Sequence, residues 1–297
     1  MIEFVNVSAA YDGETPVLRD VSLTVNDGDF VAFVGTNGAG KSTTMRLMNG
    51  LLKPSEGTVL IDGVPTSELR TSELARRVGF LFQNPDRQIC CQTVREELMF
   101  GFAAQGRDDA EAARRVDEVI EQFGFDADAE PFLLNRGTRQ LLALASIIVM
   151  RPPVIILDEP TTGLDFRECE KVMALVAQLH KEGTTVVMVC HDMEVVADYA
   201  CRVVVMTQGR VVDDGPTFEV LRRADTLAQA HLVLPQILDV AQRLERELPA
   251  CPSAIARAMT VDEMARAVEA AARKTGAGAD ADDAALSAAT NKEGEAR

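Results

Sequence analysis

Nine consecutive residues have the types and the spacing of a loop that binds the phosphates of a nucleotide. They are Gly35, Thr36, Asn37, Gly38, Ala39, Gly40, Lys41, Ser42 and Thr43. The glycines let backbone N–H groups point inward, and a helix that starts at the loop adds partial positive charge beside the phosphate oxygens. Lys41 is expected to reach the β- and γ-phosphates, and Ser42 to bind Mg²⁺. The loop therefore predicts binding of a nucleoside triphosphate.

Further polar residues follow apolar runs that are typical of buried strands. Asp158 and Glu159 follow the run 154–157, Gln83 follows 78–82, and His191 follows 185–190. A hydrolase for Mg²⁺-nucleotides needs two carboxylates, and we assign Asp158 to the metal and Glu159 to the attacking water. Gln83 and His191 lie at strand ends, where α/β folds bind ligands. Taken alone, a histidine in a loop is more often without such a role.

These side chains need an α/β fold to bring them together. Residues 30–34 predict a buried strand ending at Gly35, and residues 42–51 predict the helix after the loop. Residues 2–34 are predicted to form strands with tight turns, and 58–61 a further strand. Two capped helical stretches and the apolar run 141–150 predict a helical insert over about residues 90–150. Tyr11 precedes the loop and could stack on a base, although a strand-end tyrosine without that role is an equal alternative.

Composition limits the class of protein. The 297 residues carry a formal net charge of −16, which argues against nucleic acid held through a basic surface. The six cysteines show no disulfide or metal-ligand spacing, and the adjacent Cys90 and Cys91 suit a reducing compartment. No secretory signal opens the chain, and the longest apolar run is far shorter than the ~20 residues that span a membrane. We therefore predict a soluble chain that meets a membrane only through a partner.

In this order the motifs resemble the nucleotide-binding subunits of ABC transporters, over roughly residues 1–225. The resemblance implies an ABC-type P-loop ATPase domain that binds ATP and Mg²⁺, with Tyr11 on the adenine and residues 35–43 as the Walker A loop. It implies that Gln83 senses Mg²⁺ or the attacking water, and that His191 contacts the γ-phosphate. Asp158 and Glu159 match the family's Walker B pair, and Asp165 belongs to its D-loop.

Residues 134–138 take the place of the family's signature loop, but three of them depart from its usual Leu-Ser-Gly-Gly-Gln. The substituted positions are Asn135, Arg136 and Thr138. In this family two subunits enclose two ATP molecules, and each signature loop closes the other subunit's site. The resemblance therefore implies that Asn135 and Gly137 act in trans, in a homodimer or in a heterodimer with a second ATPase. Asn135 can donate a hydrogen bond as serine does.

Residues 83–88 look most like the energy-coupling factor importers, which take up vitamins and transition-metal ions. That likeness implies a membrane subunit, a substrate-binding membrane component, and a peripheral position on the cytoplasmic side of the membrane. Asp86 and Arg87 are interpreted as opposite charges for the membrane partner, and the insert as part of its docking groove. A conventional ABC importer or exporter stays an alternative, and a soluble ABC protein a weaker one.

The remaining chain predicts an appendage. Residues 226–274 show two stretches with apolar residues at helical spacing, which predict a small helical C-terminal extension. Such an extension helps to pair the two ATPases in the energy-coupling factor family, although it could instead be a cap on its own domain. Residues 275–297 are rich in Ala, Gly and Asp, and we predict that this acidic tail is disordered.

Overall fold

The structure is a computed structural model that describes residues 1–11, 15–107, 109–248 and 251–273. The chain separates into two compact units, Met1–Leu232 and Val233–Arg297. The predicted boundary at residue 225 falls inside a short helix of the first unit, and the division itself follows Leu232. The predictions for residues 275–297 lie outside the described residues.

A four-stranded antiparallel sheet is formed early in the chain, in the order β2-β1-β4-β5. Its strands are β1 (Ile2–Ala10), β2 (Pro16–Val25), β4 (Glu56–Ile61) and β5 (Val64–Pro65). In β1 the inward residues alternate with more exposed ones, because one face of this sheet packs on the core.

A six-stranded sheet has the order β10-β9-β3-β8-β7-β6. Its strands are β3 (Phe30–Gly35), β6 (Val78–Leu81), β7 (Val154–Asp158), β8 (Thr185–Val189), β9 (Arg202–Thr207) and β10 (Arg210–Pro216). All neighbours are parallel except β10, which runs antiparallel to β9. Strands β3, β7 and β8 are buried along their whole length, as the unbroken apolar runs predict for a sheet covered on both faces.

The helices of the first unit surround these sheets. They are α1 (Lys41–Met48), α2 (Thr71–Arg77), α3 (Val94–Ala104), α4 (Ala110–Phe123), α5 (Arg136–Ile148), α6 (Phe166–Lys181), α7 (Met193–Tyr199), α8 (Thr217–Val220) and α9 (Ala224–Gln229). One core joins residues of both sheets to Met45, Leu47 and Met48 of α1. Each fully buried side chain of the size of Phe33 stabilises the fold by roughly 1.5–3 kcal/mol. The predicted α/β fold is confirmed, with α3, α4 and α5 inside the range of the predicted helical insert.

The second unit is helical where it is described. It contains α10 (Gln236–Glu247), α11 (Ser253–Ala256) and a helical segment over residues 261–273. Leu238 and Ala241 are buried on α10. In the part of the chain that the structure describes, no helix combines the length and the hydropathy that crossing a membrane requires.

Candidate nucleotide-binding site

The candidate site lies at one edge of the six-stranded sheet. The parallel strands β3, β6, β7 and β8 all end there, with Leu81 opposite Leu157 and Asp158 opposite Val189. Residues that follow these strands in sequence are therefore neighbours in space. Gln83 and His191 each lie within hydrogen-bonding distance of the Glu159 carboxylate.

The glycine-rich loop has a backbone that only glycine fits at two positions. Gly35 has φ 138°, and a Cβ there would lie 2.0 Å from the carbonyl oxygen of Met206. Gly40 has φ 100° and a Cβ would lie 2.4 Å from a methyl group of Leu18. The loop can thus turn against β9 and β2 before α1 begins at Lys41.

Lys41 is buried and its ammonium group points back into the loop. Its Nζ donates to the carbonyl oxygens of Gly35, at 2.7 Å, and Thr36, at 2.9 Å. Burial lowers the pKa of Lys41, against the opposing effect of Glu159 and Asp158. Both carbonyl acceptors belong to the loop itself, so a rotation of this side chain would free the ammonium group.

Asp158 and Ser42 form a pair of oxygen ligands at the end of β7. Ser42 Oγ donates to Asp158 Oδ1 at 3.3 Å, and Asp158 is 8% exposed. Burial raises the pKa of Asp158, with the Ser42 hydrogen bond acting in the opposite direction. A hydroxyl group beside a carboxylate that is destabilised by burial is a donor set that fits Mg²⁺.

Three side chains contact the carboxylate of Glu159. Gln83 Nε2 donates to Oε2 at 2.6 Å, Thr162 Oγ1 donates to the same oxygen at 3.0 Å, and His191 Nε2 lies 3.0 Å from Oε1. Glu159 itself has φ 53°, a left-handed conformation that costs a non-glycine residue about 1–2 kcal/mol. The carboxylate is therefore held in one orientation at the sheet edge, and the strained backbone belongs to that arrangement.

A cavity of about 240 Å³ joins the loop to this carboxylate. It is lined by Val17, Asn37, Gly38, Gly40, Lys41, Ser42, Thr43, Glu159 and His191. Tyr11 lies beside the cavity, since its hydroxyl is 3.2 Å from Thr43 Oγ1 and accepts from Arg46 at 3.2 Å. The Tyr11 ring is 55% exposed, so a base can reach it.

Residues 134–138 lie apart from this cavity, and none of them is among its described lining residues. Asn135 is exposed, and its Oδ1 accepts from the N–H of Thr138 at 2.8 Å as the N-cap of α5. Arg136 donates to the carbonyl oxygen of Thr162 at 3.2 Å. The sequence analysis assigned these residues to another subunit's site. Among the contacts that the structure describes, Asn135 bonds to Thr138, and Arg136 bonds to Thr162 in the turn after Glu159.

Gly137 and Asp165 are tied together through Glu168. Asp165 Oδ1 accepts from the N–H of Glu168, and Glu168 Oε2 accepts from the N–H of Asp165, which caps α6. The Glu168 carboxylate lies against Gly137, where a Cβ would be 1.8 Å from Oε1. Gly137 is buried for this reason, so its contact with another subunit would require Glu168 to turn away.

The interpretation of Asp86 as a charge for a membrane partner stays a prediction, and this carboxylate already has a partner within the chain. Asp86 forms an ion pair within the chain, with Arg139 Nε at 3.0 Å. Arg139 also donates to the carbonyl oxygens of Phe132 and Leu134, so it links the segment after Gln83 to the start of α5. Arg87 is exposed at the next position, and its proposed role stays a prediction.

A mainly apolar groove of about 350 Å³ lies between α2, β6, α3 and α5. Its lining includes Leu51, Phe80, Phe82, Phe100 and Met150. Phe82 precedes Gln83, so the groove is continuous with the loop that reaches Glu159. Phe100 is 53% exposed and Leu51 is 51% exposed, which makes this an uncovered apolar surface beside the site.

Sequence reasoning missed Val17, Arg46 and Thr162. Val17 and Arg46 reach the site only through the tertiary contacts of β2 and α1. Thr162 follows Glu159 by three residues, and this spacing could have indicated a turn whose hydroxyl returns to the carboxylate.

Sequence comparison finds relatives of this chain in one protein family. The sequence profile of the ABC transporter family matches residues 18–162. The energy-coupling factor transporter ATP-binding protein EcfA of Methanothermobacter thermautotrophicus is 38% identical over 248 residues, which cover 82% of this chain and 80% of that protein. EcfA2 of Symbiobacterium thermophilum is 39% identical over 276 residues, which cover 90% and 95%. A relative in Caldanaerobacter subterraneus is 39% identical over 82% of this chain, but the match spans only 43% of that longer protein.

Solved structures show the same fold. The structure of cbiO1 from Clostridium perfringens, part of the ABC transporter complex cbiONQ, superposes with a TM-score of 0.69 at 31% identity. The match covers 84% of this chain and 95% of cbiO1. A dimeric ATP-binding cassette in a post-hydrolysis state, bound to ADP and Pi, superposes with a TM-score of 0.65 at 32% identity, over 73% of this chain and 99% of that chain.

Proposed function

This chain belongs to the ATP-hydrolysing subunits of ABC transporters, and from that premise we propose that it powers an energy-coupling factor importer for a vitamin or a transition-metal ion. Relatives named as energy-coupling factor ATPases match it over most of its length. The observation that supports the chemistry best is the convergence of Gln83, Thr162 and His191 on Glu159. A carboxylate oriented by three neighbours is suited to position and deprotonate a water molecule.

ATP is expected to bind in the cavity of residues 35–43. Backbone N–H groups of the loop and the N-terminus of α1 would hold the phosphates. Lys41 would turn from the carbonyl oxygens of Gly35 and Thr36 to the β- and γ-phosphates, and Tyr11 would stack on the adenine. Val17 adds an apolar contact to the wall of the cavity.

Mg²⁺ would be held by Ser42 and Asp158, with Gln83 at the edge of its shell. When bound, the ion supplies positive charge that neutralises the phosphates. The chain's own residues do the rest: Glu159 accepts the proton of water, and His191 holds its other carboxylate oxygen. Gln83 connects this carboxylate to the segment that leads to the apolar groove, so motion of that segment can change the position of Glu159.

A second ATPase subunit is expected to complete the site. Asn135 and Gly137 would act on the nucleotide of that subunit, with Asp165 at the shared boundary. The dimeric ATP-binding cassette among the similar structures supports pairing. The remaining proposed partners are an integral membrane subunit and a substrate-binding membrane component, which would place the chain at the cytoplasmic side of the cell membrane.

The apolar groove is the proposed docking surface for the membrane subunit. Phe100→Glu places a charge in the groove, and Val5→Glu, at a residue 45% exposed on β1, is the matched control. We expect Phe100→Glu to lose at least tenfold in co-purification with the membrane subunit and in uptake, while basal ATP hydrolysis stays within twofold. A buried charge without a partner is costly enough for this loss.

The measurement is affinity purification of the chain from detergent-extracted membranes, followed by uptake in reconstituted vesicles. Equal recovery of the membrane subunit with Phe100→Glu and with Val5→Glu would show that the groove is not the docking surface. Membrane proteins of a conventional ABC importer or exporter among the recovered partners would replace the energy-coupling factor assignment. If the parent chain recovers no membrane protein at all, the transport function fails.

A further inference from the structure

Two adjacent cysteines and a buried glutamate meet at the start of the helical insert. The sulfur atoms of Cys90 and Cys91 and a carboxylate oxygen of Glu97 all lie within 4.8 Å of one another. Cys90 is exposed, Cys91 is half-buried, and Glu97 is 3% exposed. None of the three lines the nucleotide cavity. This cluster is therefore separate from the site described above.

The backbone holds the glutamate against both cysteines. Glu97 Oε2 accepts the N–H of Cys90 at 2.9 Å and the N–H of Cys91 at 3.0 Å. The Cys91 sulfur lies within 4.8 Å of the Cys90 sulfur and of a Glu97 carboxylate oxygen. The carboxylate thus has a fixed position relative to the two residues, and one oxygen is not used by these backbone bonds.

We propose that Cys90, Cys91 and Glu97 form a binding site for one thiophilic divalent cation of the Zn²⁺ class. Zn²⁺ takes sulfur ligands at about 2.3 Å and carboxylate oxygens at about 2.0–2.2 Å, so neighbouring ligand atoms in a tetrahedral site lie roughly 3.7 Å apart. Since no two of these ligand atoms are more than 4.8 Å apart, the cluster needs to close by at most about 1 Å. Rotation of the Cys90 side chain can supply this, because Cys90 lies at the surface.

The donor set selects among cations. Two sulfur atoms and one oxygen suit Zn²⁺ and related ions, whereas Mg²⁺ and Ca²⁺ require shells of six or more oxygens. Three protein ligands also leave one position for water or for a group from another molecule. Two thiolates and a carboxylate would carry three negative charges, and a divalent cation offsets most of that charge.

Thiol reactivity is a weaker explanation of this cluster. Burial, together with the charges of Glu97 and Cys90, raises the pKa of the Cys91 thiol to about 12. Without a cation this thiol is protonated at neutral pH, and protonated thiols are poor nucleophiles. A cation must displace the proton of the Cys91 thiol, so its binding is accompanied by proton release.

A cation bound at this cluster would hold the segment from Gln83 to Cys91 against α3. The segment from Gln83 to Cys91 carries a 3₁₀ turn over Pro85–Arg87, and Gln88 Nε2 donates to the carbonyl oxygen of Ala143 on α5 at 2.7 Å. A cation on Cys90, Cys91 and Glu97 would fix the other end of this segment to α3. Binding of the cation does not depend on the transport function proposed above, so the two can fail separately.

The test uses the full-length, reduced, nucleotide-free protein with Zn²⁺ and Co²⁺ as probes. Competition with a chromophoric chelator measures Zn²⁺ affinity and stoichiometry, and Co²⁺ reports thiolate ligands through a charge-transfer band in the near ultraviolet. We expect one high-affinity ion per chain and a thiolate band. Absence of binding by the reduced parent protein, or binding without a thiolate band, would overturn the proposal.

Variants assign the ligands. Cys90→Ser with Cys91→Ser should weaken Zn²⁺ binding by roughly 100-fold or more. Loss of a residue outside the ligand shell costs about 10- to 100-fold, so the double variant should reach or exceed the top of that range. Glu97→Gln keeps an oxygen for the two backbone N–H groups and should weaken Zn²⁺ binding at least tenfold. Cys201→Ser removes an exposed thiol elsewhere and should leave the affinity unchanged.

Equal affinity in the parent and in the double variant, or an equal loss in Cys201→Ser, would assign the ion to scattered surface thiols and end the proposal. ATP binding by each variant confirms that the chain is folded. If the double variant does not fold, Cys90→Ser alone decides, because that side chain lies at the surface.

Discussion

We propose that the loop at residues 35–43 and the signature segment at residues 134–138 both contact ATP, yet the two segments lie in different structural surroundings. The first lies between buried strands and helices, and its polar groups bond to partners within the chain. The second lies at the start of α5, where the exposed residues Asn135 and Arg136 bond to Thr138 and Thr162. The loop at residues 35–43, the core half-site, is thus held by contacts of its own chain. Residues 134–138, the surface half-site, would need the proposed second subunit to contact a nucleotide.

The difference explains where the sequence departs from the family pattern. A change at Gly35 or Gly40 would force a Cβ into neighbouring atoms of the core. Asn135 instead keeps the capping hydrogen bond that a serine would make, so this substitution is compatible with the fold. Asn135 is thus tolerated by the chain itself, and its effect on ATP hydrolysis must be tested in the proposed dimer.

The largest expected effect comes from Glu159→Gln, which tests the core half-site. Loss of the group that deprotonates water should lower ATP turnover by roughly 10²- to 10⁴-fold. ATP affinity should stay within a few-fold, because the loop at residues 35–43 is unchanged. Turnover and equilibrium ATP binding by the assembled complex provide the two measurements.

Glu170→Gln is the matched control for this prediction, since Glu170 is exposed on α6 and is remote in sequence from the loop. It should retain parental turnover. Comparable hydrolysis by the Glu159→Gln protein and the parent would remove Glu159 from the reaction.

Much of the core half-site was predictable because its signals are local in sequence. Apolar runs mark the ends of β3, β7 and β8, and parallel strands bring the residues beyond those ends to one edge of the sheet. Gln83 and His191 could therefore be placed beside Glu159 before their contacts were known.

Two groups of contacts could not be predicted, because no local sequence pattern indicates them. Asp86 forms an ion pair with Arg139, which is 53 residues later in the chain. Cys90 and Cys91 carry no metal spacing of their own, and Glu97 joins them only because α3 begins where it does. Such contacts depend on how helices and loops pack against one another, and the spacing of residues within one element does not indicate them.

A second prediction tests the surface half-site with Asn135→Asp. Aspartate caps a helix as well as asparagine does, so α5 and the melting temperature should be preserved. Its negative charge would face the phosphates bound by the other subunit. We expect ATP-dependent dimerisation to weaken at least tenfold, or about 1.4 kcal/mol, which a charge pair near a surface can supply.

Light scattering with and without ATP measures dimerisation, and ATP binding by the isolated chain measures its own loop. Asn135→Ser, which keeps both the cap and neutrality, serves as the control and should dimerise as the parent does. Parental dimerisation by Asn135→Asp would mean that residues 134–138 do not close a neighbour's site.

A third prediction concerns how much the buried Asp158 carboxylate lowers the free energy of unfolding. Burial raises the pKa of Asp158, so the charged carboxylate destabilises the nucleotide-free protein at neutral pH. Asp158→Asn should raise the melting temperature without ligand by about 2–4 °C, which corresponds to about 1 kcal/mol. The same variant should lose the additional stabilisation that Mg²⁺ gives with ATP.

The sign of this effect fixes its dependence on pH. A carboxyl group whose pKa is raised in the folded state gives its full stability below its ordinary pKa, and that contribution is lost as the pH rises through the raised value. The advantage of Asp158→Asn should therefore be complete above the raised pKa and should disappear as the pH falls below the ordinary value of about 4. Thermal unfolding across this range, without Mg²⁺ or nucleotide, measures it, and an advantage independent of pH would exclude this cause.

The smallest expected effect comes from Arg136→Gly, which restores the residue usual in the family's signature. Arg136 donates to the carbonyl oxygen of Thr162, and its guanidinium covers Gly163. Both contacts are exposed and lie within the chain, so their loss should cost at most about 1 kcal/mol of stability.

Arg136→Lys separates this local role from a charge that serves the partner's nucleotide. If Arg136 is anchored on its own chain, as the contact with Thr162 indicates, both variants should dimerise with ATP within about threefold of the parent. If its charge instead reached the other subunit's phosphates, Arg136→Gly would lose at least tenfold while Arg136→Lys would retain most of the affinity, because a single charge pair near a surface is worth more than about 1 kcal/mol. That second result would make the signature segment as closely fitted to its ligand as the loop at residues 35–43, and would remove the contrast between the two half-sites.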